Sequence, residues 1–210
     1  ANKVVVEKCS NNVVKIEYYY QSMPSLTKAR NYGFSFVKNE IVVFSDDDVD
    51  VKKDTFSNII ALFSDKNLAM AGAVNEGEEN NSASVLSHIF GMASFRKRNI
   101  GHMARACYGR FPSICDNETP SEWAMGFFFV VRNSLMTSWN IRFDENLKSY
   151  AYAEDLDFTY GYFLKATSEG LHCIMSRKLI VKHNVSKEYR IPKRGHVFMM
   201  VLHRYYISNK

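Results

Sequence analysis

The sequence predicts an α/β domain whose mostly parallel sheet is flanked by helices. Three observations carry this reading. Ile41-Val42-Val43-Phe44, Leu68 to Val74 and Phe127 to Val131 are apolar runs of strand length with no polar face, as expected of strands covered on both sides. Stretches of helical period lie between them. The first run stops at three consecutive carboxylates, Asp46, Asp47 and Asp48. A buried strand cannot hold unpaired neighbouring acids, so these must lie past its carboxyl end. That is where open α/β sheets bind ligands.

The 210 residues, 46% hydrophobic, suffice for one domain with a substantial core. An aromatic content of 14% argues against disorder. The net charge of +5 suits a phosphate-bearing substrate or an anionic membrane surface, and nothing in it marks a nucleic-acid partner. Cys9, Cys107, Cys115 and Cys173 form no Cys-x-x-Cys pair, which argues against zinc and against a disulfide framework. A reducing compartment is therefore expected. No apolar stretch reaches the length of a membrane span, and no signal peptide opens the chain. The expected location is the cytoplasm, at the inner face of the membrane.

In order, Ala1 to Cys9 has helical spacing, and Val13 to Tyr20 is rich in β-formers and reads as a strand. Pro24 ends it, and Ser25 caps a helix to Lys38 with Leu26, Ala29, Phe34 and Val37 inward and Arg30 and Asn31 in its first half. With the strand Ile41 to Ser45, this predicts a right-handed parallel crossover. Asp54 to Phe63 reads as a helix with Phe56, Ile59, Ile60 and Phe63 on one side, followed by the strand Leu68 to Val74. Asn75 to Ser84 is a polar loop on the side of the aspartates, and Val85 to Arg98 a helix ending in the basic run Arg96-Lys97-Arg98. Gly101 to Pro120 lacks periodicity, as expected of a substrate-facing loop.

Pattern returns at Trp123, with Gly126 ahead of the buried run Phe127 to Val131. Asn133 to Trp139 is a short helix and Phe143-Asp144-Glu145 a turn with an apolar anchor. Glu154-Asp155-Leu156-Asp157-Phe158 opens a helix with Leu156, Tyr160, Phe163 and Leu164 inward, and Glu169-Gly170 closes it. Leu171 to Met175 and Lys178 to Lys182 read as two short strands, the second ending at His183. Residues 1–189 are expected to form the domain, and 190–210 a basic amphipathic tail with Phe198, Met199, Leu202, Tyr205 and Tyr206.

Two acidic centres stand out. Asp46 to Asp48 could gather a hard divalent cation against a diphosphate, since such ions prefer oxygen ligands. They could equally form a solvated turn before a helix, where Asp is favoured. Glu154, Asp155 and Asp157 suit a helix dipole, yet Asp155 and Asp157 cannot both be caps. Arg30 is either a surface charge or a fork for a diphosphate or an acid. Trp123 is either core or a stacking platform, and His183 either packed or a ligand.

The ordered set of four blocks resembles glycosyltransferase family 2, with the GT-A fold. The blocks are Ser25-Leu-Thr-Lys-Ala-Arg-Asn31 with Gly33; Ile41-Val-Val-Phe-Ser-Asp-Asp-Asp48; Trp123-Ala-Met-Gly126 with Arg132-Asn133 and Phe143-Asp-Glu145; and Glu154-Asp-Leu-Asp-Phe158. The resemblance implies transfer of a sugar from a nucleotide-diphosphate donor to a glycan or lipid-linked hydroxyl acceptor, with inversion. It places Arg30, Asp46 and Asp47 at the donor, and Asp48 and His183 at Mn²⁺ or Mg²⁺. Asp155 becomes the general base with Glu154 beside it, and Trp123, Gly126 and Asp157 face the acceptor. Peripheral membrane contact and a homo-oligomer are further expectations. Two departures accompany the likeness. The first two strands of the family, with their nucleotide-base loops, are expected to be missing, and Gly161 stands where the family often has Arg. The competing expectations are a glycoside hydrolase using Asp48 and Asp155, and an idle carbohydrate- or partner-binding domain of the same fold.

Overall fold

A computed structural model describes residues 14–77, 99–112, 115–148, 150–184 and 193–210. Its centre is a sheet in the order β1-β7-β3-β8-β2, with β6 paired to β8. These strands are β1 (Ile41–Ser45), β2 (Val49–Val51), β3 (Leu68–Asn75), β6 (Thr119–Pro120), β7 (Phe128–Arg132) and β8 (His172–His183). β3 and β8 are parallel neighbours, and β7 lies antiparallel between β1 and β3, so β1, β3 and β8 share one direction. β2 and β6 run against β8. The sheet is thus the mixed α/β sheet expected from the sequence.

The buried runs alternate between two cores because strand side chains have a period of two. Val42, Phe44, Phe129 and Val131 face one layer. That layer is filled by Phe34 of helix α1 (Leu26–Phe34), Met136 of α3 (Asn133–Ser138), and Phe158 and Tyr162 of α4 (Glu154–Ser168). Phe128, Val130, Ala71 and Ala73 face the other layer, against Ile59, Leu62 and Phe63 of α2 (Thr55–Phe63). Phe44 stacks on its register partner Phe129, with ring centroids 4.9 Å apart. Arg132 ties the layers together: its Nε donates to Leu68 O and its Nη2 to Phe63 O.

A third cluster joins Trp123, Leu147 and Leu156 to Met103, Cys107 and Ile207. It brings in the hairpin of β4 (His102–Ala104) and β5 (Tyr108–Arg110) and the last helix, α5 (Lys193–Ser208). The expected tail is therefore docked on the body through its far end.

Several expectations are corrected. Residues 15–21 form no strand, so the predicted crossover into β1 is not built. Tyr19 instead packs outside α1, with its ring stacked on Phe36 at 4.3 Å and edge-on to Tyr32. Ala29 in α1 and Phe56 and Ile60 in α2 face outward. α2 buries Leu62 instead, because its sheet-facing line runs through Thr55, Ile59 and Leu62. Leu164 is exposed, while Phe158 and Tyr162 fill the α4 interface. The two predicted C-terminal strands are one, β8, which passes through the exposed pair Arg177-Lys178 at a register irregularity against β3. Gly101 to Pro120 contains β4, β5 and β6. The helices expected at Ala1 to Cys9 and Val85 to Arg98 fall outside the described residues, and so does the loop expected at Asn75 to Ser84 beyond Gly77.

Candidate active site

The first acidic corner forms where β1 ends. Asp46 N–H donates to Phe127 O at 2.9 Å, which holds the turn against the start of β7. The chain then enters β2, whose first residue Val49 pairs with His183 at the carboxyl end of β8. This register sets Asp48 Oδ1 3.1 Å from His183 Nε2. The imidazole is held flat against the Phe127 ring, 5.0 Å between centroids. Ligand atoms of Asp46, Asp48 and His183 all lie within 4.8 Å of one another. Two carboxylates and one imidazole fit the donor preferences of Mn²⁺, and a partly exposed position leaves room for substrate oxygens. Asp47 is exposed on the outside of the turn.

The second corner opens α4. Ala151 and Ala153 both have left-handed backbone, φ 50° and 67°, a conformation L-residues seldom adopt. Such strain, ~1–3 kcal/mol per residue, is held where surrounding packing demands it, and it launches α4 with three acids in its first turn. Asp155 Oδ2 accepts the Gly126 N–H at 2.9 Å. Burial raises the Asp155 pKa, and the N–H groups of Leu156 and Gly126 oppose that rise. Burial, with Asp155 beside it, pushes Glu154 up to about 8, while Arg30 pulls it back.

Arg30 joins the two corners. Its Nη1 donates to Glu154 Oε1 at 2.6 Å, and its Nη2 to Asp46 Oδ1 and to Gly126 O, each at 2.9 Å. The Arg30 and Glu154 side chains are 9% and 8% exposed, so this is a buried ion pair. Burial also raises Asp46, and Arg30 acts against it. Asn31 braces the same helix: its side-chain amide donates to Phe143 O and accepts the Phe143 N–H, both at 2.9 Å. The Phe143 ring lies under the Arg30 guanidinium at 5.2 Å. A planar fork suits this three-way task and a lysine would not.

Gly126 has no room for a side chain, since an added Cβ would lie 2.9 Å from Asp155 Cβ. Both its backbone groups serve the site's own residues, which makes it a bracket between Arg30 and Asp155. Trp123 is corrected from stacking platform to core. It is 3% exposed, its Nε1 donates to Arg110 O, and Gly109 of the hairpin closes over its ring. Asp157 is partly exposed, and its carboxylate accepts from Lys210 Nζ at 2.7 Å; Lys210 also meets Asp144. The sequence carried no signal of that lysine's position, nor of Phe127 beneath His183, because both contacts join distant parts of the chain.

A mixed sheet with one acidic corner past the carboxyl end of β1 and a second at the start of α4 is the GT-A architecture. The glycosyl transferase family 2 model matches residues 3–144, and the chain belongs to that family. A second model, 3-oxo-5-alpha-steroid 4-dehydrogenase, matches residues 118–209, less than half of the chain, and those residues share the sheet and cores described above. GalNAc-T7, solved with UDP, GalNAc and Mn²⁺, is similar over 87% of this chain and 34% of its own, at 13% identity and TM-score 0.60. S. aureus TarS 1-349 is similar over 98% of this chain and 58% of its own, at 15% identity and TM-score 0.51. Both likenesses concern the fold, and this chain spans well under two thirds of either. No curated protein is significantly similar in sequence.

Proposed function

We propose that the domain transfers a sugar from a nucleotide-diphosphate donor to a hydroxyl acceptor with inversion. The observation that carries this reading is the Arg30 bridge: one guanidinium touches both Asp46 and Glu154, so the two acidic corners adjoin through a single side chain. The family membership and the UDP, GalNAc and Mn²⁺ in the GalNAc-T7 structure support it from outside.

Asp46, Asp48 and His183 are the residues that would hold a divalent cation, which would supply neutralising charge for the departing diphosphate. Asp155 takes the proton of the acceptor hydroxyl as that oxygen attacks the anomeric carbon. Attack from the side opposite the diphosphate inverts that carbon in one step, with no protein nucleophile. The Gly126 N–H aims the Asp155 carboxylate, and the Arg30–Glu154 pair keeps a second acid from drifting into the base's place. Asp47, exposed on the turn, is left to meet the donor from the solvent side.

Asp48→Ala tests the metal corner. Calorimetry of the parent with UDP, GDP and dTDP sugars is expected to show tight donor binding only with Mn²⁺, and the variant is expected to lose that Mn²⁺ dependence. The thermal midpoint should barely change, since Asp48 is partly exposed. Donor binding by the variant that still tightens with Mn²⁺ as in the parent would remove Asp48 from the metal site.

A further inference from the structure

We infer that α5 and the two residues after it form a strap that sets the aim of Asp155, with Arg204 and Lys210 as positioning residues. The inference rests on the base role proposed for Asp155 above.

The start of α4 is not fixed by a cap of its own. Helix α1 begins at Ser25, whose side chain accepts the Lys28 N–H. The corresponding position of α4 is Ala153, which has no side-chain oxygen to offer. Ala151 and Ala153 place left-handed backbone on either side of Tyr152. Backbone of that kind persists only where surrounding contacts over-determine it. Asp155 lies two residues past this turn, so the place of its carboxylate follows the turn.

The holding contacts come from α5, on both sides of the base. Ahead of it, three side chains of that one helix converge on Tyr152. His203 Nδ1 meets Tyr152 O at 3.0 Å, and Arg204 Nη2 donates to the Tyr152 hydroxyl at 3.0 Å. His196 meets the Tyr152 ring edge-on at 5.2 Å. The Arg204 guanidinium also lies over the ring of Tyr108 in β5, at 5.0 Å, so the hairpin backs the grip. Past the base, Lys210 Nζ donates to both carboxylate oxygens of Asp157, at 3.0 and 2.7 Å. Lys210 also pairs with Asp144, which accepts from Tyr206 at 2.9 Å. Between the two grips, Ile207 is buried in one cluster with Ala151, Ala153 and Leu156. Tyr152 and Asp157 are thus held by the same strap, and Glu154 and Asp155 lie between them.

The rotation of α5 fits this role. A helix that only covers a core turns its apolar side inward and its polar side to water. Here the polar His203 and Arg204 turn inward, while Phe198, Val201 and Tyr205 on the opposite side are exposed.

The Gly126 amide reads the aim directly, because its hydrogen bond runs to Asp155 Oδ2. Nitrogen–proton NMR and amide hydrogen exchange on the whole chain, at one pH, follow that amide without any donor or acceptor present. Asp155→Ala marks the position of the signal when its acceptor is gone. Arg204→Ala is expected to move the signal toward that mark and to speed its exchange about tenfold or more, with the Val130 and Val131 amides in the core of β7 within about twofold of the parent. Tyr152→Phe, which keeps the ring and loses only the hydroxyl, is expected to do the same, and it replaces Arg204→Ala should that variant unfold. Lys210→Met tests the second grip in the same way. In transfer assays these variants are expected to lower kcat about tenfold while donor affinity stays within about twofold, since small misplacements of a reacting group are felt on that scale. A Gly126 signal unmoved in Tyr152→Phe and Lys210→Met, or one that moves only together with the β7 amides, overturns the strap and leaves the base role standing. Parental kcat in Asp155→Asn overturns the base role, and this inference with it, even where the signal moves.

Discussion

Asp155→Asn is expected to lower the rate of sugar transfer by about 10²- to 10⁴-fold while leaving donor affinity within about twofold, because a positioned general base contributes on that scale. The amide keeps the size of the side chain and can still meet the Gly126 N–H through its oxygen, so the bracket at 2.9 Å survives while the proton acceptor is lost. Steady-state rates with a fixed donor and acceptor, beside calorimetry of the donor, separate the two effects. An Asp155→Asn enzyme with parental kcat would remove Asp155 from the base role. The pH profile supplies an independent check. Burial raises the Asp155 pKa above its ordinary value of 3.8, and the working form is the carboxylate. Activity of the parent should therefore fall away on the acid side at a pH above that value, as the carboxylate takes up its proton.

Above about pH 8, where Glu154 is ionised, Arg30→Ala is expected to cost about 3–5 kcal/mol of stability, the range for removing one partner of a buried ion pair. It leaves the Glu154 carboxyl, 8% exposed, without its guanidinium, and it frees Asp46 and Gly126 O together. The loss should depend on pH. A carboxyl whose folded-state pKa is raised favours folding most below its unfolded value, 4.5 for Glu154, and that favour is lost as pH rises through the folded value. Without Arg30 the Glu154 pKa has less to hold it down. The deficit of the variant in urea unfolding should therefore be smaller near pH 5 than near pH 8. Arg30→Met/Glu154→Gln, which removes both charges, should recover part of it. A deficit that is flat with pH, or no recovery in the double variant, would mean that the pair is not the origin of the effect.

Much of this site could be read along the chain, for a local reason. The run Ile41 to Phe44 had to end before its acids, because a strand covered on both faces has nowhere to put Asp46. Glu154 and Asp155 at the start of α4 fit the preference of a helix dipole for acids in the first turn, and Arg30 was visible as one of two choices. What could not be read were contacts between segments far apart. Residues 15–21 have β-forming composition, yet they make no strand, since a strand exists only where another strand's ladder receives it. Trp123 looks the same in sequence whether a hairpin covers it or a sugar does, and Gly109 pressed against its ring decides the matter. β8 continues through the exposed pair Arg177-Lys178, where the Arg177 N–H donates to Asp116 O, because β3 and β6 pair with it before that point and β3 and β2 after it.

The order of residues by itself determined the class of fold, the family, and the two acidic corners, because strand burial and helix starts depend on neighbours a few positions away. Only the tertiary structure decided that one arginine joins those corners, that His183 stands beside Asp48, and that α5 turns its apolar side to solvent. Those outcomes rest on pairings across gaps such as the 124 residues between Arg30 and Glu154, and sequence spacing carries no information about pairings at that range.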